Sequence, residues 1–212
     1  MIEYINLIKE KTTIEPKNVL EIGSRDGNDA EYLRRGFNID AKNVWVVEPN
    51  PVQQNKIKNI YPNVNLITNP IFNIKKKFKF YGVDVDDQIL NGVSSLLNRI
   101  DGLYENINTH KIEVETILGI DLFTIINDNI DICKIDVEGA TYEVLESFGN
   151  KIKQVKSMHI ECEHRPVWVN QKLYNTVSKF LSLNDFIQIY FNYCANDTLQ
   201  SDSIWVYKEH LK

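Results

Sequence analysis

No stretch of the sequence approaches the roughly 18–20 uninterrupted apolar residues that a membrane span requires, so no membrane span is expected. The N-terminal segment Met1–Pro16 mixes charges into its apolar positions and has no continuous hydrophobic region, so it does not read as a signal peptide. Cysteine is scarce. Cys133, Cys162 and Cys194 are odd in number, dispersed and without C-x-x-C spacing, which points to reduced thiols and a cytoplasmic location. Basic residues are in deficit: 24 Lys and Arg against 29 Asp and Glu give a net charge of −5, which argues against a protein that coats a nucleic-acid duplex. Repeats, low-complexity tracts and Gly/Ser linkers are lacking, so residues 1–212 are read as one domain. The glycine pattern G-x-G-x-x-G is missing too, which disfavours a nicotinamide dehydrogenase.

What is present is enough apolar material for a full core, with 43% hydrophobic and 25% charged residues. Met1–Lys11 carries Ile2, Ile5 and Ile8 at helical spacing with Leu7 beside them, a short amphipathic helix stopped before Pro16. Val19–Ile22 reads as a buried strand ending in a glycine turn at Gly23, Asn28–Arg35 as a helix, and Asn43–Glu48 as a second buried strand halted by Pro49. A helix from Val52 to Ile60 and a strand Val64–Thr68 follow, and this alternation implies a parallel sheet with helices on both faces. Lys77–Val83 and His110–Ile117 alternate as antiparallel strands do, so the stretch from about 76 to 117 reads as inserted strands around a polar, substrate-facing loop. The α/β pattern resumes with helix Asp121–Asn127, strand Ile130–Val137, helix Ala140–Phe148, strand Ser157–Glu163 and helix Tyr174–Leu183. Phe186–Tyr193 and Ser203–Tyr207, joined by the turn-rich Cys194–Asp202, form an antiparallel hairpin.

Two features carry chemistry. The turn Glu21-Ile22-Gly23-Ser24-Arg25-Asp26-Gly27 places an acid two residues before its first glycine, which suits a cationic nucleoside ligand better than a pyrophosphate. Glu48 ends the second strand, where a carboxylate can grip a ribose diol. A plainer reading leaves Gly23 and Gly27 as a tight turn and Glu48 as a helix cap. The second feature is Ile130–Gly139. Period two puts Ile132, Lys134 and Asp136 on one face of the strand, with Asp136 toward the end that borders the ligand crevice of open α/β sheets. In the next strand His159, Glu161 and Glu163 share a face, so acids gather close to His164 and Arg165. Individually, Glu138 as a helix cap and Glu163 as a partner of Arg165 are structural readings. A metal set of His159, Glu161 and Asp136 is conceivable, but no tight His/carboxylate spacing demands it and no metal is assigned.

These residues resemble the FkbM-type S-adenosylmethionine-dependent methyltransferases from about Asn18 to Glu163. Val19–Gly27 is similar to the family's cofactor-binding segment, and Val46–Pro51 to its ribose-binding acid and proline turn. Ser94-Ser95-Leu96 falls where the family has a serine-containing segment. Asp131–Ala140 followed by Glu143-Val144-Leu145 resembles its most diagnostic block, and Ile160–Glu163 the acidic end of the next strand. The chain departs from the family at Ser24-Arg25-Asp26 within the glycine turn and at Thr141 after the diagnostic block. The resemblance implies a Rossmann-like class I fold with a mostly parallel seven-stranded sheet, S-adenosylmethionine as cofactor, and O-methylation of a small hydroxylated acceptor such as a sugar.

On that reading Glu21, Gly23, Ser24, Arg25 and Gly27 serve the methionine end of the cofactor, Glu48 and Pro49 the ribose, and Asp136 borders the methyl group. Asp136 and His164 are the expected general bases, with Glu163 behind them and Lys134 steering the acceptor oxygen or neutralising Asp136. Arg99, Tyr104, Glu138 and Trp168 are the expected acceptor contacts, although Trp168 is also suited to stapling its loop to the following helix. Two alternatives stay open. Lys134, Asp136, Lys156 and Glu161 supply the letters of a ribose 2′-O-methyltransferase acting on RNA. The C-terminal aromatics Trp168, Tyr174, Phe186, Tyr190, Phe191 and Tyr193 would suit a partner surface on a non-catalytic nucleoside-binding module.

Overall fold

A computed structural model of the chain describes residues 1–83, 94–100, 109–194 and 199–212. Helix α1 (Ile2–Lys11) is followed by β1 (Val19–Ile22), α2 (Asn28–Phe37), β2 (Val44–Val47), α3 (Pro51–Ile60) and β3 (Asn65–Ile67). Then come β4 (Lys77–Val83), β5 (Thr109–Glu115), α4 (Gly119–Ile126), β6 (Ile130–Ile135) and α5 (Thr141–Ser147). The chain closes with β7 (Val155–Glu163), α6 (Tyr174–Leu183), β8 (Phe186–Tyr193) and β9 (Gln200–Tyr207). Seven strands form one sheet in the order β3-β2-β1-β6-β7-β9-β8, and β4 and β5 form a separate antiparallel ribbon. Strands β3, β2, β1, β6 and β7 are parallel, while β9 runs antiparallel to β7 and β8 antiparallel to β9.

Strand alternation explains the layering. Val19 and Ile132 face α1, α2 and α3, where Tyr4, Ile8, Leu33 and Ile57 pack. Leu20, Ile22, Cys133 and Ile135 face α4, α5 and α6, against Leu122, Phe148 and Leu181. Every residue of β1 and β6 is buried, the pattern of strands covered on both faces. α1 lies close because Gly36 offers no side chain: a Cβ there would overlap Ile5. The Tyr4 hydroxyl reaches the sheet and donates to the Cys133 carbonyl at 3.2 Å. The one charged residue in the lower half of β6, Asp131, is paid for by the Lys156 ammonium at 2.6 Å and the Lys17 N–H at 2.7 Å.

Most boundaries fall within two residues of the sequence reading, but one shift matters. Gln200, Ser201 and Asp202 belong to β9 and not to a turn, because β9 continues its pairing with β7 up to Glu163↔Gln200 and brings Asp202 opposite Glu161. The β4–β5 ribbon packs over the C-terminal edge of the sheet through Phe80, which joins Phe72, Leu96 and Ala140 in a small apolar cluster.

Candidate active site

The C-terminal ends of β1, β2, β6 and β7 open into a cavity of about 300 Å³, which Phe80, Ser94, Ser95 and Leu96 also line. Its floor is the turn after β1. Gly23 has φ +80°, and a Cβ there would overlap the Asp136 carbonyl oxygen, so only glycine lets the two chain segments approach this closely. The Gly23 and Ser24 N–H groups both donate to the Val47 carbonyl, at 3.1 and 3.2 Å, which ties the turn to the end of β2. Arg25 also adopts positive φ, +58°. That conformation aims its backbone N–H at Glu48 Oε2, 2.7 Å away.

Glu48 is held from both sides, because its Oε1 accepts from the Asn50 N–H at 2.7 Å. The carboxylate is buried yet lines the cavity. Burial pushes its pKa up to about 7 against the lowering effect of the two N–H donors. Each oxygen retains a lone pair for a ligand hydroxyl.

Lys134 stands at the centre of the charged floor. Its ammonium lies 2.8 Å from Asp29, 3.1 Å from Asp136 and 3.7 Å from Glu21. Burial alone would lower its pKa, but the carboxylates of Asp136, Glu21 and Asp29 raise it well above the ordinary lysine value. Glu21 is fully buried; its Oε2 accepts from Ser24 Oγ at 2.6 Å and from the Ala30 N–H at 3.1 Å. Burial raises it to about 7, with Lys134 opposing.

Above this floor the carboxylates crowd. Asp136, Glu138 and Glu161 line the cavity. Glu161 is pushed up to about 9, first by the Asp136 charge and then by burial. Glu138 is raised well above the usual carboxylate range by burial and by Asp136. Its backbone takes φ +45°, and its carbonyl accepts from Ser95 Oγ at 2.6 Å. Glu163 lies behind them, raised to about 7 chiefly by burial, with Oε1 accepting from Trp168 Nε1 at 3.3 Å.

Of the residues read from sequence, Gly23, Ser24, Arg25, Glu48, Pro49, Lys134, Asp136 and Glu138 line the cavity. Others do not. Glu21 points inward under the turn and supports it through Ser24 and Ala30, so direct ligand contact gives way to positioning. Gly27 caps α2, facing the Tyr61 ring.

His164 is a clearer correction. Its Nε2 lies 2.8 Å from Ser201 Oγ, and its ring stacks on Tyr174 with Phe191 and Tyr193 around it. The cause is the two-residue period itself: His164 shares a face with Cys162, opposite the face of Glu161 and Glu163. Trp168 is buried beneath the Arg99 guanidinium, 4.6 Å from its ring, and neither lines the cavity. A Cβ on Gly139 would overlap the Trp168 ring, so Trp168 packs against the turn that leads into α5. Tyr104 lies outside the described residues.

Asp29, Gln53 and Phe80 line the cavity without having been singled out. Asp29 in the first turn of α2 carries only the signal of a helix-start acid, and its link to Lys134 is tertiary. The RNA constellation is not assembled, since Lys156 is spent on Asp131 at the opposite end of the sheet. In the basic stretch Lys75-Lys76-Lys77-Phe78-Lys79, Lys75 pairs with Asp121 and Lys77 with Glu113, each at 2.9 Å.

The model of the methyltransferase FkbM domain matches residues 21–194. The chain belongs to the FkbM methyltransferase family. Among solved structures, the FkbM methyltransferase of Methylobacillus flagellatus superposes with this FkbM chain at a TM-score of 0.57 and 14% identity, covering 91% of this chain and 44% of that one. The chain therefore spans less than half of that relative's length. TrmK of M. capricolum, solved with S-adenosylhomocysteine, gives a TM-score of 0.51 at 11% identity over 100% of this chain and 70% of its own. Fibrillarin of Aeropyrum pernix, solved with S-adenosylmethionine, gives 0.52 at 10% identity over 91% and 68%. These likenesses establish the Rossmann-like methyltransferase fold of the FkbM chain. No curated protein matches its sequence. No helix among its described residues is long and apolar enough to cross a membrane.

Proposed function

We propose that this FkbM domain binds S-adenosylmethionine in the cavity and transfers its methyl group to a hydroxyl of a small acceptor, a sugar or glycan precursor being the class that the family resemblance favours. The observation that carries the reading is the pairing of Glu48, fixed by two backbone N–H groups, with the Gly23 turn pressed against Asp136. A rigid two-oxygen acceptor beside a glycine cradle fits a ribose diol joined to a compact, cationic methionine end. When bound, S-adenosylmethionine supplies a methyl group already activated on a sulfonium.

The chain's own work is placement and proton removal. Glu48 accepts the ribose hydroxyls. Gly23 and Ser24 give the cofactor backbone-close passage, and Lys134 holds Asp136 in place from below. Asp136 takes the acceptor proton as the hydroxyl attacks. His164 has no part in this. Glu138 and Glu161 face the acceptor side and hydrogen-bond its remaining hydroxyls, while Arg99 and Trp168 brace the acceptor loop.

Assaying S-adenosylhomocysteine release over a panel of hydroxylated acceptors tests the proposal. Turnover should appear with at least one carbohydrate, and Asp136→Asn should lower kcat by about 10²-fold or more with little change in cofactor affinity. Full turnover in Asp136→Asn at a rate-limiting chemical step would remove Asp136 as the base. Cofactor binding with no transfer to any hydroxyl would leave only the binding half of the reading.

A further inference from the structure

Acids from three elements meet at one lysine under the cavity. Lys134 stands beside Glu21 in the β1–β6 register, and its side chain is only 8% exposed. The Ala30 N–H donates to Glu21 Oε2 at 3.1 Å, which ties the first turn of α2 down over this face of the sheet. That bond sets Asp29, one residue earlier, beside the lysine. Asp29 Oδ2 lies 2.8 Å from the ammonium, Asp136 Oδ2 3.1 Å and Glu21 Oε1 3.7 Å.

Two of these acids have duties apart from the lysine. Glu21 supports the glycine turn through Ser24 and Ala30, and Asp136 faces the cavity beside Gly23. Asp29 differs. It pairs with no other lysine or arginine among the described residues, yet it holds the ammonium more closely than either neighbour. Burial works against its ionised form, but the Lys134 charge brings its pKa below the ordinary value. With Asp29 in place, the lysine donates to a single Asp136 oxygen, Oδ2. Without that charge, a buried ammonium would be drawn onto the carboxylates that remain, and Asp136 is nearer than Glu21. A lysine seated across both Asp136 oxygens would occupy the lone pairs that a base needs.

We propose that Asp29 is a positioning residue for proton removal: it keeps the Lys134 ammonium on Oδ2 of Asp136 and leaves Oδ1 for the acceptor hydroxyl. The inference rests on the reading of Asp136 as the general base. In the step concerned the acceptor O–H bond breaks, its proton passes to Asp136 Oδ1, and the electron pair stays on the acceptor oxygen. Lys134 remains protonated throughout. Asp29 touches neither the proton nor the oxygen that loses it and acts only through the lysine.

Asp29→Asn, which removes the charge and keeps the shape, tests the inference by structure and by rate. Its crystal structure should show the Lys134 ammonium drawn across both Asp136 oxygens and away from residue 29. Its kcat should fall about tenfold or more, with the acceptor KM and the affinity for S-adenosylhomocysteine changed by less than about threefold. Asp29→Glu, which keeps the charge, should recover most of the rate. In a Lys134→Gln background Asp29→Asn should bring no further loss, because the residue acts through the lysine. Circular dichroism checks folding; should Lys134→Gln not fold, the glutamate rescue and the crystal structure decide. An ammonium unmoved in the Asp29→Asn structure would overturn the inference, as would an unchanged kcat or an equal loss in the Lys134→Gln background. Loss of S-adenosylhomocysteine binding in step with kcat would also overturn it, by making Asp29 a cofactor contact. The crystal structure needs no acceptor, so it decides the inference even where no hydroxyl is methylated, an outcome that counts against the methyl-transfer reading alone.

Discussion

Glu48 shows how much one side chain does in this site. Burial raises its pKa to about 7, and only the ionised form accepts at both oxygens from ligand hydroxyls. Cofactor affinity should therefore weaken as pH falls below about 7, by up to tenfold per unit, and Glu48→Gln should flatten that dependence. Calorimetric titration with S-adenosylhomocysteine between pH 5.5 and 8.5 measures it, and a slope retained in the glutamine variant would assign the dependence elsewhere. Gly23 is the second decisive residue. Gly23→Ala combines a strained positive φ with a collision against the Asp136 backbone, and should cost about 2–4 kcal/mol with loss of cofactor binding. Thermal melts of the ligand-free variant separate the two effects.

Strand β6 carries the argument at the level of the element. A lysine in the middle of a strand buried on both faces is tolerable only with partners, and Lys134 has Asp29, Asp136 and Glu21. Lys134→Met leaves those carboxylates facing one another and should destabilise the protein by about 3 kcal/mol at pH 8, the lower end of the range because Asp29 is 42% exposed and screened by water. The loss should shrink at pH 5.5, where Glu21, raised to about 7, takes up a proton; melts at the two pH values decide this.

The same strand marks where sequence reading succeeds and where it stops. Period two put Lys134 and Asp136 on one face, and the C-terminal-end rule for α/β sheets put that face at the crevice. Local rules cannot reach Asp29, because its contact with Lys134 depends on how α2 packs on the sheet. They misplaced His164 when chain proximity to Glu163 outweighed strand parity. They also left Asp202 in a turn, since the pairing that draws it into β9 is supplied by β7, forty residues earlier in the register.

Taken as a whole, the molecule gathers its strained charges at one end of the sheet. Glu21, Glu48 and Glu163 are each raised to about 7 and Glu161 to about 9. The folded state therefore binds more protons than the unfolded one above about pH 4.5, the ordinary glutamate value. The stability linked to Glu21, Glu48 and Glu163 is present below about pH 4.5 and lost as pH rises through 7, and that linked to Glu161 is lost toward 9. Asp185, lowered to about 2 by Lys153 and Lys208, works in the opposite sense and loses its contribution only in strong acid. The ligand-free protein should melt higher at pH 5.5 than at pH 8, and S-adenosylhomocysteine should raise the melting temperature more at pH 8, where Glu48 is ionised. Scanning fluorimetry at both pH values, with and without the nucleoside, checks this order.

The central claim is that the cavity over Gly23 seats an adenosyl group with Glu48 on its ribose. A crystal structure of the chain with S-adenosylhomocysteine tests it most directly. The account predicts both ribose hydroxyls donating to the Glu48 carboxylate and the sulfur lodged between the Gly23 turn and Asp136. A nucleoside bound elsewhere, or a ribose turned away from Glu48, would contradict it.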